Sequence, residues 1–156
     1  MVEWDTRTVR ALVTAGAGFL MAVLWFDLMF DVQVRPYRGT EVPAPVLDSI
    51  SAYYRRVTTE SSPMNRLVAL FMLVTLGGVV GELVRAEGPV AARWLSLALA
   101  AAPIGVAGAL TVPRAVRLGA GAVGDRAAAA RLILTEHLVC LASIAALLVV
   151  QLGFVR

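Results

Sequence analysis

Apolar residues are gathered into four long blocks, roughly 10–32, 66–84, 91–113 and 130–154, set apart by short polar, glycine or proline interruptions. Each is close to the ~20 residues a helix needs to cross a hydrocarbon core of about 30 Å. The pattern predicts an all-α, polytopic membrane protein: a four-transmembrane-helix bundle in which residues 1–156 form a single membrane domain. Local chemistry marks the ends. Ser62-Pro63 reads as an N-cap followed by proline at the first helical position, Gly88-Pro89 precedes the third block, and Asp125 begins a strongly helical approach, DRAAAAR, to the fourth. The second and third helices join in a tight hairpin, whereas a long connection separates the first from the second.

Within that connection the pattern changes. After Pro43-Ala44-Pro45, residues Val46, Leu47, Ile50, Tyr53, Tyr54 and Val57 recur at helical spacing, with Asp48, Ser49, Ser51, Arg55 and Arg56 on the other face. The spacing predicts an amphipathic helix over about 46–57, lying on the membrane surface or across the bundle mouth. Tyr53, Tyr54, Arg55 and Arg56 are then interfacial lipid contacts, with aromatic bodies among headgroups and guanidinium groups against phosphate.

Composition agrees with the membrane reading, since 59% of the residues are hydrophobic and only 16% charged, too apolar a balance for a soluble domain. All 14 basic residues are arginine, and with abundant Ala and Gly this bias suggests a GC-rich bacterial genome and hence a bacterial cytoplasmic membrane. A net charge of +3 does not point to nucleic acid, because the arginines stand at the ends of apolar blocks. The expected partners are the lipid bilayer and other membrane chains, as a homo-oligomer or a larger complex; no nucleic acid is expected. Met1-Val2-Glu3-Trp4-Asp5 is not a basic leader and no A-x-A-like site follows, so the first helix is expected to be retained. The first and third connections carry Arg35, Arg38, Arg55, Arg56, Arg66, Arg114, Arg117, Arg126 and Arg131, against Arg7, Arg10, Arg85, Arg93 and Arg156 elsewhere. By the positive-inside rule, both termini face outward.

Several motifs narrow the chemistry by exclusion. Cys140 stands alone, so neither an intrachain disulfide nor a C-x-x-C relay is available. His137 is also solitary, and a haem held by two histidines of one chain is excluded. Gly119, Gly121 and Gly124 spell G-x-G-x-x-G without the strand and acidic partner that dinucleotide binding needs, so they read as a flexible turn. Gly77, Gly78 and Gly81, with Gly105 and Gly108, suggest close packing of the second and third helices, and Pro103 a kink in the third. Leucine at Gly78 or Gly81 is accordingly expected to disrupt the bundle more than leucine at Gly119.

Candidate chemistry gathers at one end of the bundle, because alternate connections of a four-helix protein lie on the same side of the membrane. Asp27 and Asp31, separated by about 40° around the first helix, share a stripe that must face protein, water or a cation. On their side lie Asn65, Arg66, Arg114, Arg117, Arg131, Glu136, His137 and Cys140; on the other, only Glu82, Arg85 and Glu87 are comparable. The candidate polar cluster is Asp27, Asp31, Arg66, Arg114, Arg117, Glu136 and His137. In one arrangement the aspartates pair with Arg66, Arg114 or Arg117 and set helix register. In the other, Asp27, Asp31, Glu136 and His137 converge as metal ligands; no cofactor is predicted by any motif, and a divalent cation is the one these residue types would suit. Three roles follow: a non-catalytic subunit or interaction protein, a binding or transport module for a cation, proton or lipid, and an enzyme acting on a lipid-like substrate. The first is the leading expectation, since no nucleophile, base and orienting group appear together.

Overall fold

A computed structural model of the chain describes residues 5–38, 41–86 and 88–153. Met1 to Trp4, Glu87, Arg156 and the end of the fourth block at 154, all used above, lie outside the described residues. The elements are α1 (Thr6–Asp31) with a 3-10 continuation (Val32–Tyr37), α2 (Ala44–Arg55), α3 (Ser62–Val84), α4 (Val90–Val106), α5 (Val112–Gly119) and α6 (Arg126–Gly153). No strand occurs among the described residues, and four helical stretches are long and apolar enough to cross a membrane: Thr6–Tyr37, Pro63–Val84, Val90–Gly119 and Arg126–Gly153.

The long helices close a ring in which α1 packs on α3 and α6, and α4 packs on the same two. Their shared core is apolar, built from Val13, Ala17, Val79, Ala100, Ile144 and Leu147. On α1 the buried Val13, Gly16, Ala17, Leu20, Leu28 and Asp31 recur at the three- and four-residue spacing of one helical face. Large apolar side chains such as Trp25, Leu73, Val84 and Leu152 are more than 60% exposed, as expected of surfaces that face hydrocarbon rather than water.

Two helix ends differ from their sequence expectation. Ser61, not Ser62, is the N-cap of α3, and it makes no side-chain capping bond. The fourth long helix does begin from Asp125, whose Oδ1 accepts the N–H of Ala128 at 2.8 Å. Pro103 lies within α4, which continues to Val106; the irregularity comes later, as a π turn over Ala107–Thr111 directly before Val112-Pro113. Pro113 has no N–H and its ring crowds the carbonyl four residues back, so widening the preceding turn lets the chain continue as helix. A second π turn, Arg56–Glu60, ends at Ser61, a break in the helix before Ser62-Pro63 opens α3.

The glycine stripes do not join α3 to α4. A Cβ built on Gly77, Gly105 or Gly108 would meet nothing within 4 Å, and on Gly81 only Val9 Cγ1 at 3.9 Å. Close approach instead occurs between α1 and α3, where Gly16 faces Thr75 and a Cβ on Gly78 would come 2.5 Å from Val13 Cγ2. Phe19 and Phe71 stack across the same contact at 4.2 Å. Gly119 is not a free loop residue either: a Cβ there would come 2.5 Å from the Arg55 nitrogen and 2.9 Å from the Tyr54 carbonyl carbon.

That contact docks α2. The amphipathic helix does not lie on an outer surface; it crosses the mouth of the bundle, with Ile50 and Tyr54 buried among Leu28, Val34, Leu118, Ala130 and Ile133. Arg126 holds its polar side, reaching Asp48 Oδ1 at 2.7 Å and Ser51 Oγ at 3.1 Å. Arg131 donates to the Tyr37 carbonyl at 2.9 Å and so ties the chain entering this region to α6.

Candidate functional site

Under α2, two aspartates, two tyrosines and the single histidine form one connected polar cluster. Asp27 and Asp31, one turn apart on α1, both face His137 of α6: Asp31 Oδ2 lies 2.7 Å from Nδ1 and Asp27 Oδ2 lies 3.9 Å from Nε2. The Tyr54 hydroxyl donates to Asp31 Oδ1 at 2.5 Å and the Tyr53 hydroxyl to Asp27 Oδ1 at 2.6 Å. Asp31 is 0% exposed, Tyr54 2% and His137 7%, so these groups are solvated by one another rather than by water. Burial, then the neighbouring carboxylate charges, push both phenols well above their ordinary range. They remain hydrogen-bond donors across the physiological range.

The sequence-predicted residues divide sharply. Asp27, Asp31 and His137 are brought together, with the aspartate stripe turned toward α6. Glu136, about 100° away from His137 on the helix, instead makes an ion pair with Arg114. The four-residue metal set is therefore not assembled, and among the described residues no group of three or more His, Cys, Asp or Glu side chains is arranged to hold a metal ion. Asp31 spends Oδ1 on Tyr54 and Oδ2 on His137, which leaves it poorly disposed as a metal ligand. The Asp–Arg arrangement is not formed either: Arg66 and Arg117 are exposed, and no arginine among the described residues pairs with Asp27 or Asp31.

Tyr54 is not an interfacial lipid contact, because its ring is enclosed and its hydroxyl is committed to Asp31. Tyr53 is half-buried, stacked on Phe30 with ring centroids 3.9 Å apart. Arg55 and Arg56 are exposed, and Arg55 reaches Glu60 at 3.3 Å. The signal for the inward tyrosines was present in the spacing, since Ile50, Tyr53, Tyr54 and Val57 form one apolar face. What that face packs against was not.

Beside the cluster lies a cavity of about 740 Å³, which the sequence did not reveal. Its walls come from Val23, Phe26 and Phe30 of α1, Met64, Val68 and Met72 of α3, both π turns and α5. Asp27, Tyr53 and Tyr54 face it at one corner. Thr111, 2% exposed in the π turn, also lines it, and its hydroxyl has no hydrogen-bond partner among the described residues. Several wall residues, including Phe26 (61% exposed) and Met64 (46%), also belong to the apolar outer surface. The cavity thus opens sideways through that surface, while α2 covers the end of the bundle.

At the opposite end a smaller buried polar group ties three helices together. Gln151 Nε2 donates to Glu82 Oε2 at 2.8 Å and lies 3.3 Å from Ser96 Oγ. The apolar core around Val13, Ala100 and Leu147 separates it from the Asp27 cluster. Comparison with protein-family models, with curated proteins and with solved structures finds no match for this chain.

Proposed function

We propose that this chain is a multi-pass membrane protein that binds a lipid-soluble small molecule in the cavity beside Asp27. The observation that carries the reading is the cavity itself: about 740 Å³ of mostly apolar wall with polar groups confined to a few positions. Ligand sites generally combine apolar enclosure with a small number of orienting polar groups. Its opening on the apolar flank gives a lipid-soluble molecule direct access, and Asp27, Tyr53 and Tyr54 at one corner can orient what enters. The binding role is therefore favoured over the non-catalytic scaffold, and over an enzyme that would use Arg114 or Arg117 on a phosphate, because Arg114 is engaged by Glu136 and Arg117 is exposed.

Gly108 provides the test. It lines the cavity, and a side chain there meets no obstacle near its Cβ. In detergent, a neutral polarity-sensitive fluorophore such as diphenylhexatriene should bind wild type saturably and bind Gly108→Leu about tenfold more weakly, with thermal stability unchanged. Equal binding to both proteins would remove the cavity as the site.

In this reading the four apolar helices cross a bacterial cytoplasmic membrane, with α2 and the Asp27 cluster on the cytoplasmic side. The arginine excess in the first and third connections supports that orientation. A periplasmic reporter fused after Arg156 should be active and the same reporter in the first connection silent; the reverse pattern would invert the topology.

A further inference from the structure

Charge accounting at the cavity identifies the class of ligand. We propose that the bound molecule is a lipophilic monocation whose positive centre lies against the Asp27 carboxylate; this rests on the cavity being the ligand site. Asp27 is the one charged side chain among the described residues lining the cavity. Its cluster contains two carboxylates and one imidazole, so with both carboxylates ionised it is one positive charge short even when His137 is protonated. The arginines at this end do not supply that charge: Arg114 pairs with Glu136, Arg126 with Asp48 and Arg55 with Glu60, Arg131 donates to the Tyr37 carbonyl, and Arg35, Arg38, Arg56, Arg66 and Arg117 are exposed. An uncompensated buried carboxylate is costly in a low-dielectric interior, and a cation arriving from the cavity removes that cost.

Geometry leaves room for it. Asp27 Oδ1 accepts from Tyr53, but Oδ2 stands 3.9 Å from His137 Nε2, beyond hydrogen-bond distance, so the carboxylate has unused acceptor capacity. Phe30, stacked on Tyr53, and Phe26 bring aromatic rings to the same part of the wall, and ring faces attract cations. Thr111 adds a buried hydroxyl oxygen with no partner among the described residues, a dipole that a positively charged ligand can orient. The opposite chemistry is disfavoured. A phosphate or fatty-acid carboxylate would meet Asp27 with no guanidinium lining the cavity, and a small inorganic divalent ion would leave the apolar volume empty. Because the opening is on the apolar flank, the ligand enters from the bilayer.

Tetraphenylphosphonium and tetraphenylborate are nearly the same size and shape and opposite in charge, and so isolate the electrostatic contribution. With full-length protein in uncharged detergent, wild type should bind the phosphonium at least about tenfold more tightly than the borate, as measured by calorimetry or displacement of diphenylhexatriene. Asp27→Asn should lose that preference while still binding the neutral fluorophore. Gly108→Leu, which leaves every charged residue in place, should weaken phosphonium binding about tenfold, as it weakens the fluorophore. Equal affinity of wild type for both ions would overturn the inference, as would phosphonium affinity unchanged in Gly108→Leu or a preference that survives in a folded Asp27→Asn protein. If the fluorophore binds wild type but not Gly108→Leu, and no charge preference exists, the cavity remains a neutral-ligand site and only the cation assignment fails. If no probe distinguishes wild type from Gly108→Leu, the binding reading fails with it.

Discussion

Asp31→Ala is expected to lower the unfolding free energy by about 3–5 kcal/mol, the cost of stripping one partner from a buried charged network. Asp31 is fully enclosed and holds together three separate elements: α1, on which it sits, α2 through the Tyr54 hydroxyl at 2.5 Å, and α6 through His137 Nδ1 at 2.7 Å. Truncation leaves a phenol and an imidazole without their acceptor in a site that α2 shields from bulk water. Asp31→Asn, which retains one carbonyl oxygen, should lose less. Combining Asp31→Ala with Tyr54→Phe should be non-additive by about 0.5–3 kcal/mol, because the second change removes the group stranded by the first. Denaturant unfolding in detergent micelles of these three variants and of Tyr54→Phe alone would measure each effect. A loss below about 1 kcal/mol for Asp31→Ala would mean that the cluster does not hold the helices together.

Gly119→Ala should rank beside it, at about 3 kcal/mol or more, the upper end of overpacking costs. The added carbon falls on the backbone of Arg55 and Tyr54, which cannot move aside as a side-chain tip can. Relief requires α2 to lift from α5, and that would draw Tyr53 and Tyr54 away from Asp27 and Asp31. Gly78→Ala should cost less, since Val13 Cγ2 can adjust, and Gly81→Ala should be close to neutral, with Val9 at 3.9 Å. This order reverses the one expected from the small-residue stripes. Equal melting of Gly119→Ala and wild type would rule out the close docking of α2 on α5.

The reversal has a specific cause. Gly78 and Gly81 belong to a recognisable small-residue pattern, but such a pattern does not say which neighbouring helix faces each glycine. Gly119 resembled a turn residue because it lies in LGAGAVGD, and its constraint comes from α2, a segment far away in sequence. The inward turn of Tyr54 has a related cause. The apolar face of its helix was legible, but a bilayer interface and the underside of a bundle ask for the same amphipathic pattern.

By itself the sequence determined the long apolar helices, their approximate ends, the amphipathic segment, and the placement of Asp27, Asp31 and His137 at one end. These follow from local properties: the length of apolar runs, the helical period, and the alternation of a chain passing back and forth. Only the tertiary structure decided that His137 joins the aspartates while Glu136 turns to Arg114, that the tyrosines cap the carboxylates, and that a cavity remains between α1, α3 and the two π turns. Those outcomes depend on the relative rotation and separation of packed helices. They join residues as far apart as Asp31 and His137, and no local period in the chain encodes such a pairing.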